Sequence, residues 1–271
     1  MRKDVRGNVS RLALRFAALG YLALLLLLPV GFVFYRAFEH GAGHAWHAVT
    51  THDAVHALEL TLLISAIAVP ANTITGIVLA LALVRGRFPG RGLLNAVVDL
   101  PLALSPVVVG LALFLLYGRG GWLGGLAGHG LKILFAVPGM VLATMFVSLP
   151  FVVREVVPVL RELGAEQEEA AETLGAGPFQ IFRRVTFPAI RWAVAYGVVL
   201  TTARAIGEFG AVSAVSGNIV GRTQTLPLYV KAQFDGFDTA GAYASSVVLA
   251  LIAVVVVVGL RALHPREEGA R

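Results

Sequence analysis

Apolar positions along this chain gather in long uncharged runs separated by short charged stretches. Residues 16–34, 60–84, 133–153 and 240–260 contain no charged side chain. Each has close to the roughly 20 residues that a helix needs to cross a hydrocarbon core. Residues 100–118 are also uncharged, and the run extends back to about Leu93 if Asp99 is tolerated. A last stretch, 192–219, carries Arg204 and Glu208 inside an otherwise apolar sequence. The pattern predicts an all-α integral membrane protein with six transmembrane helices, the third at 93–118 and the fifth at 192–219.

Composition agrees. Hydrophobic residues make up 57% of the chain and charged residues only 14%, with a mean hydropathy of +0.79, against about 25% charged in soluble proteins. Cysteine is absent, which excludes disulfides and thiolate metal sites. The net charge of +6 does not form a nucleic-acid footprint, because the basic residues flank the apolar runs instead of clustering. Their placement sets an orientation. With the N-terminus inside, sixteen of the 22 lysines and arginines fall on the inner side. Five, Arg36, Arg119, Lys132, Arg222 and Lys231, fall outside, and Arg204 lies within the membrane. Both termini are therefore expected in the cytoplasm. The first span exceeds the apolar core of a secretory signal and has no clear cleavage site after it, so it reads as an uncleaved anchor.

The inner segment between the fourth and fifth spans is the most informative. Residues 165–174 are rich in Ala, Glu, Gln and Leu, which favour helix. Gly175 and Gly177 stop that helix, and Pro178 suits the start of a second one. In the second, Phe179, Phe182 and Val185 recur every third residue, and Pro188 is expected to break the helix before Trp192. Ala170 and Ala171 leave a small-residue surface for a close partner, and Glu166, Glu169 and Glu172 offer acceptors to basic groups. A helix lying on the membrane surface is typically rich in Lys and Arg on its polar face, whereas this one is acidic.

The spacing E-A-A-x3-G-x9-V-x-F-P over residues 169–188 resembles the coupling loop of permease subunits in binding-protein-dependent ABC importers. Val185 and Phe187 replace the Ile and Leu of that pattern conservatively. Carried over residue by residue, the resemblance implies that Glu169, Ala170, Ala171, Gly175, Phe182, Val185 and Pro188 dock into a groove on a separate ATPase subunit. It also implies a type I importer permease fold. The wider segment 151–219, above all ARAIGEFGAVSAVSGNI and then TQTLPLYV, is similar to the W-type subunit of sulfate/thiosulfate permeases. Molybdate permeases share a related Arg–Gly–Glu signature but diverge after Phe209. The resemblance implies an assembly of this subunit with a homologous T-type permease, two ATP-binding subunits and an external sulfate-binding protein in a bacterial inner membrane. No G-x4-G-K-[ST] phosphate loop occurs in the chain, so ATP and Mg are expected on the partners and no cofactor on this chain. The organisation expected is an N-terminal segment, first span and outer loop at 1–55, a transport core at 56–262 and a short tail at 263–271.

Arg204 and Glu208 are spaced to pair on one helical face. They either hold helices together or place Arg204 on the passage of a dianion, with Ser213 and Ser216 as further candidates for the path. Asp99 is expected to pair locally with Arg85, Arg87 or Arg91, and Pro101, Pro106, Pro138 and Pro150 are expected to kink their spans. Five histidines, His40, His44, His47, His52 and His56, crowd the first outer loop without an acidic or sulfur pattern to complete a metal site. The glycine-rich run 118–130 reads as a flexible outer connection. The outer segment 217–238 is expected to expose Leu228, Tyr229 and Phe234, either to a binding protein or as interfacial anchors. A channel or secondary transporter would leave the acidic loop unexplained. A hydrolase would need a histidine inside a span, and the predicted spans hold none.

Overall fold

The computed structural model of the chain describes residues 2–125 and 132–263. The expected outer connection therefore lies partly outside the described residues, as does nearly all of the tail. Among the described residues every regular element is helical. Five helices are long and apolar enough to cross a membrane, and a sixth crossing results if one bent pair counts as a single span.

Two compact units are present, residues 1–51 with 230–248 and residues 52–229 with 249–271. In the first unit, α1 (Arg2–Phe38) presents apolar side chains outward from Leu14 onward, Leu25 and Phe32 among them. That is the expected surface for a helix whose solvent is lipid. Phe32 meets Tyr243 edge to face at 6.3 Å, and the guanidinium of Arg36 sits over the Phe32 ring while pairing with Glu39 at 2.8 Å. Part of the first outer loop is helical, α2 (Ala42–Val49). His40 and His44 approach to 5.7 Å between ring centres, but among the described residues no three His, Asp or Glu side chains converge.

The second unit is built on three long helices: α3 (His52–Arg85), α6 (Val137–Leu163) and α8 (Pro178–Ile206). Helix α6 packs along both others. Small residues permit this, as is usual where no hydrophobic gain between helices is available in lipid. Gly76 of α3 lies so close to Val152 of α6 that a β-carbon would stand 2.7 Å from its Cβ. Gly197 of α8 lies on Val152 from the other side, 2.9 Å from its Cα by the same measure. A buried amide fixes the register. Asn72 Nδ2 donates to the Met145 carbonyl and to Ser148 Oγ, both at 2.9 Å. Two apolar clusters fill the rest, one around Val152, Val156, Leu160 and Ile190, the other around Met140, Val147, Val212 and Leu228.

The structure departs from the sequence expectations at five places, the first being the fifth span expected at 192–219: its helix ends at Ile206 and a separate short helix, Gly210–Ser216, follows. The third span is two helices, α4 (Arg91–Ala103) and α5 (Pro106–Tyr117), bent by 112°. Leu104 and Ser105 between them are extended, as the residue before a proline prefers. Asp99 pairs with none of the three arginines near it in sequence. It accepts from Arg154 Nε at 2.6 Å, an α6 residue that also reaches Asn95. Leu228 and Tyr229 are not a landing surface. Residues 226–235 form α10 (Leu226–Asp235), whose Leu226, Leu228 and Tyr229 are buried, with Leu228 in the core and the Leu226 N–H donating to Thr61 Oγ1 at 2.8 Å. Phe234 is exposed as expected. Finally, Pro188 does not break its helix. A π-turn over Phe182–Thr186 precedes it, with the Phe187 N–H bonding back to Phe182 O. That wider turn absorbs the proline and keeps residues 178–206 one continuous helix. The remaining elements are α7 (Glu166–Thr173), α9 (Gly210–Ser216) and α11 (Thr239–Leu263).

Candidate functional site

The acidic loop forms a helix–turn–helix at the end of α6. Gly164, at φ +64°, ends α6, and Gly175, at φ +85°, ends α7. Both conformations are ones that a side chain disfavours. The Gly175 N–H bonds to Glu172 O and the Ala176 N–H to Ala171 O, closing α7 as a capped end. Pro178 then opens α8, and the π-turn joins the loop to a membrane-crossing helix without a hinge.

Three of the four glutamates on α7, Glu166, Glu169 and Glu172, are exposed and pair with no basic group among the described residues. Ala170 and Gly175 are exposed, and Ala171 is half-buried beside them. Phe182 and Val185 are half-buried and Pro188 is exposed. Leu174 and Phe179 are 89% and 74% exposed; Phe179 is marked by its threefold spacing, and Leu174 by nothing in the sequence. Two shallow clefts flank α7: one of about 340 Å³ between Ala171, Leu174 and Arg184, the other of about 370 Å³ between Glu169, Pro178 and Phe182.

The fourth glutamate does something different. Arg85, at the end of α3, donates from Nε to Glu168 Oε2 at 2.8 Å. It also donates from Nη2 to Gly164 O at 2.5 Å and from Nη1 to Leu160 O at 3.2 Å. Glu168 Oε1 in turn accepts from Thr186 Oγ1 at 2.8 Å. One arginine therefore caps the last carbonyls of α6, where a cation is favoured by the helix dipole. It also holds α7, and through Glu168 it holds the π-turn of α8. Four elements meet at this ion pair, and the partners lie 83 residues apart in sequence. No sequence signal reveals the contact; only the excess of glutamate on α7 hints that one of them has a use inside the fold.

Within the membrane, Arg204 and Glu208 do pair, Nη2 to Oε2 at 2.7 Å. The Glu208 side chain is 2% exposed, and its Oε1 accepts from the Ala211 N–H at 2.7 Å. It thus closes the break at Gly207 between α8 and α9, accepting an N–H in the first turn of α9. Ser216 is buried and accepts from the Asn218 N–H at 3.1 Å, while the half-buried Ser213 donates to Gly210 O at 2.7 Å. Of the four candidates for the path, Arg204 and Ser213 keep partial exposure; Glu208 and Ser216 are spent on the protein interior.

This architecture, an all-helical bundle with a helix–turn–helix leading into a membrane helix, is that of an ABC importer permease. It superposes on a bacterial ABC transporter involved in the import of the acidic polysaccharide alginate with a TM-score of 0.79, covering 98% of this chain and 99% of the other at 18% identity. The chain belongs to the family of binding-protein-dependent transport system inner membrane components, whose pattern matches residues 72–269. It is 53% identical to the sulfate transport system permease protein CysW of Synechocystis sp., over 92% of this chain and 91% of that one. It is also 38% identical to the sulfate transport system permease protein CysT of Salmonella typhimurium, over 91% and 89%.

Proposed function

We propose that this chain is the W-type membrane subunit of an ATP-driven sulfate/thiosulfate importer. The observation that carries the reading is the identity of 53% to a sulfate permease subunit along nearly the whole of both chains. The weaker similarity to the T-type subunit supports a partner permease of the same fold. Two such subunits would enclose the path between them, with Arg204 offering transient attraction to a dianion while Glu208 keeps that attraction weak enough for release. The coupling loop would dock through Glu169, Ala170, Ala171, Gly175, Leu174 and Phe179 onto one of two ATP-binding subunits, which supply ATP and Mg. Both termini and the coupling loop lie on the inner side of the membrane, and an external binding protein delivers the anion to the outer side.

Uptake of radiolabelled sulfate tests the reading. The chain is expressed with its partners in a bacterial strain lacking its own sulfate permease, and excess thiosulfate or molybdate is added as competitor. ATP-dependent sulfate uptake blocked by thiosulfate and not by molybdate is expected. Accumulation of molybdate without sulfate would instead make this a molybdate or tungstate permease.

A further inference from the structure

At the end of α6 away from the coupling loop, an open cavity of about 1160 Å³ lies between the end of α5, the glycine-rich turns after it, residues 132–135 and the loop following α9. Helix α6 has 27 residues, so this cavity stands about 40 Å from the coupling loop. Among the described residues its lining includes three cations, Arg119, Lys132 and Arg222, and no carboxylate. We propose that this cavity is an electropositive antechamber that takes the dianionic oxyanion as the binding protein releases it.

The charges on this side of the membrane divide sharply. Five basic residues are assigned to the outer side. Arg36 is neutralised by Glu39 and Lys231 by Asp235. Arg119, Lys132 and Arg222 have no acidic partner among the described residues, and all three are exposed. The unpaired charges are thus the ones that face the cavity. The rest of the wall is mainly apolar, with Phe114 and Phe135 in edge-to-face contact at 6.0 Å. A cleft of one sign with low-dielectric walls focuses its field and concentrates counter-ions. Taken as a sphere the cavity is about 13 Å across, so its centre lies within about one Debye length of its walls at physiological salt.

The backbone that carries the cation on the α9 side is also held in position. Thr223 Oγ1 donates to Ser216 O at 2.7 Å and accepts from the Ile219 N–H at 3.1 Å, while Gln224 Nε2 donates to Asn218 Oδ1 at 3.1 Å. This knitted loop fixes the backbone beneath Arg222. The Phe135 N–H bonds to Val215 O at 2.8 Å, joining the opposite wall to α9. Polar side chains bury themselves to shape a loop whose tip presents a free guanidinium. The width of the cavity and the exposure of its cations suit brief capture and handover, since a closed site would retain the anion.

The inference rests on the proposed import of a dianion, and its test separates the two. The complete transporter is reconstituted in neutral-lipid vesicles, with wild-type chain or the triple variant Arg119→Gln, Lys132→Gln, Arg222→Gln. Sulfate, thiosulfate and molybdate are offered in parallel on saturating binding protein. The antechamber predicts uptake of the carried dianion falling about three- to tenfold, with the affinity of loaded binding protein for the complex within twofold of wild type. Restoring charge as Arg119→Lys and Arg222→Lys with native Lys132 should return most of the rate. Unchanged uptake overturns the proposal. So does a loss of binding-protein affinity with an intact saturated rate, which would make the three cations a docking patch for an acidic protein surface. An effect that appears only when anionic lipid is added assigns them to headgroups and overturns it too. Transport of thiosulfate or molybdate without sulfate refutes the sulfate reading alone, because the variant is then compared on the dianion that is carried. A wild-type complex that carries none of the three refutes both.

Discussion

Replacing Arg85 with methionine keeps an unbranched apolar stem and removes every hydrogen bond that the guanidinium makes to this loop. Three acceptor groups lose their common partner: the Glu168 carboxylate at 2.8 Å, the Gly164 carbonyl at 2.5 Å and the Leu160 carbonyl at 3.2 Å. A hydrogen bond to a charged group contributes roughly 1.5–3 kcal/mol net. The Arg85 and Glu168 side chains are 25% and 20% exposed, so solvent moderates the loss, and about 2–3 kcal/mol is expected in total. That corresponds to a roughly 30- to 150-fold rise in the population in which α7 is detached from α6 and the π-turn. Hydrogen exchange of the assembled transporter reads this directly, because protection in α7 reports local opening. Protection of residues 166–174 should fall by that factor while the middle of α6 is unaffected, and anion carried per ATP hydrolysed should drop. Glu168→Gln keeps an acceptor for Thr186 and removes the charge. The cycle of the two changes should return a coupling of about 1–2 kcal/mol. Protection within threefold of wild type in Arg85→Met, or a coupling near zero, would refute the latch.

Three further outcomes follow from the geometry. Gly175→Val places a β-branched residue at φ +85°, a strain of about 1–2 kcal/mol; the subunit should insert normally while co-purifying poorly with its ATPases, and unaltered ATPase recruitment and uptake would count against the coupling role. Arg204→Gln strands a carboxylate that is 2% exposed, so yield and transport should both fall; normal uptake in a normally assembled complex removes Arg204 from the path. Gly76→Val would drive a methyl group into Val152, with overpacking costs of about 1–3 kcal/mol or more. The thermal unfolding midpoint of the purified complex should fall, and a wild-type midpoint would contradict the close approach of α3 and α6.

Local and compositional signals were enough for much of this protein. Hydrophobic run length alone specifies a multi-span helical bundle, because lipid leaves backbone groups no partner outside the helix itself. The acidic helix, its glycine stop and the proline start of the second helix are each decided within a few residues, which is why the helix–turn–helix was legible. The i,i+4 pairing of Arg204 with Glu208 is legible for the same reason. What the chain does at long range was not. Asp99 finds Arg154 across 55 residues and Arg85 finds Glu168 across 83; nearness in sequence pointed to the wrong partners, because a charge in a membrane protein pairs where helices happen to meet. Leu228 and Tyr229 read as surface because their segment follows a polar loop, yet folding lays that segment over α3. Pro188 does not break its helix because a π-turn precedes it, and nothing in the local sequence announces that turn. The gathering of three unpaired cations around one cavity is likewise a product of packing, since Arg119, Lys132 and Arg222 come from separate segments. Sequence settled which parts are apolar, helical or acidic, since those properties are local. Tertiary structure alone decided which charges neutralise each other and which remain free to act on an anion, since that depends on distances between segments remote in the chain.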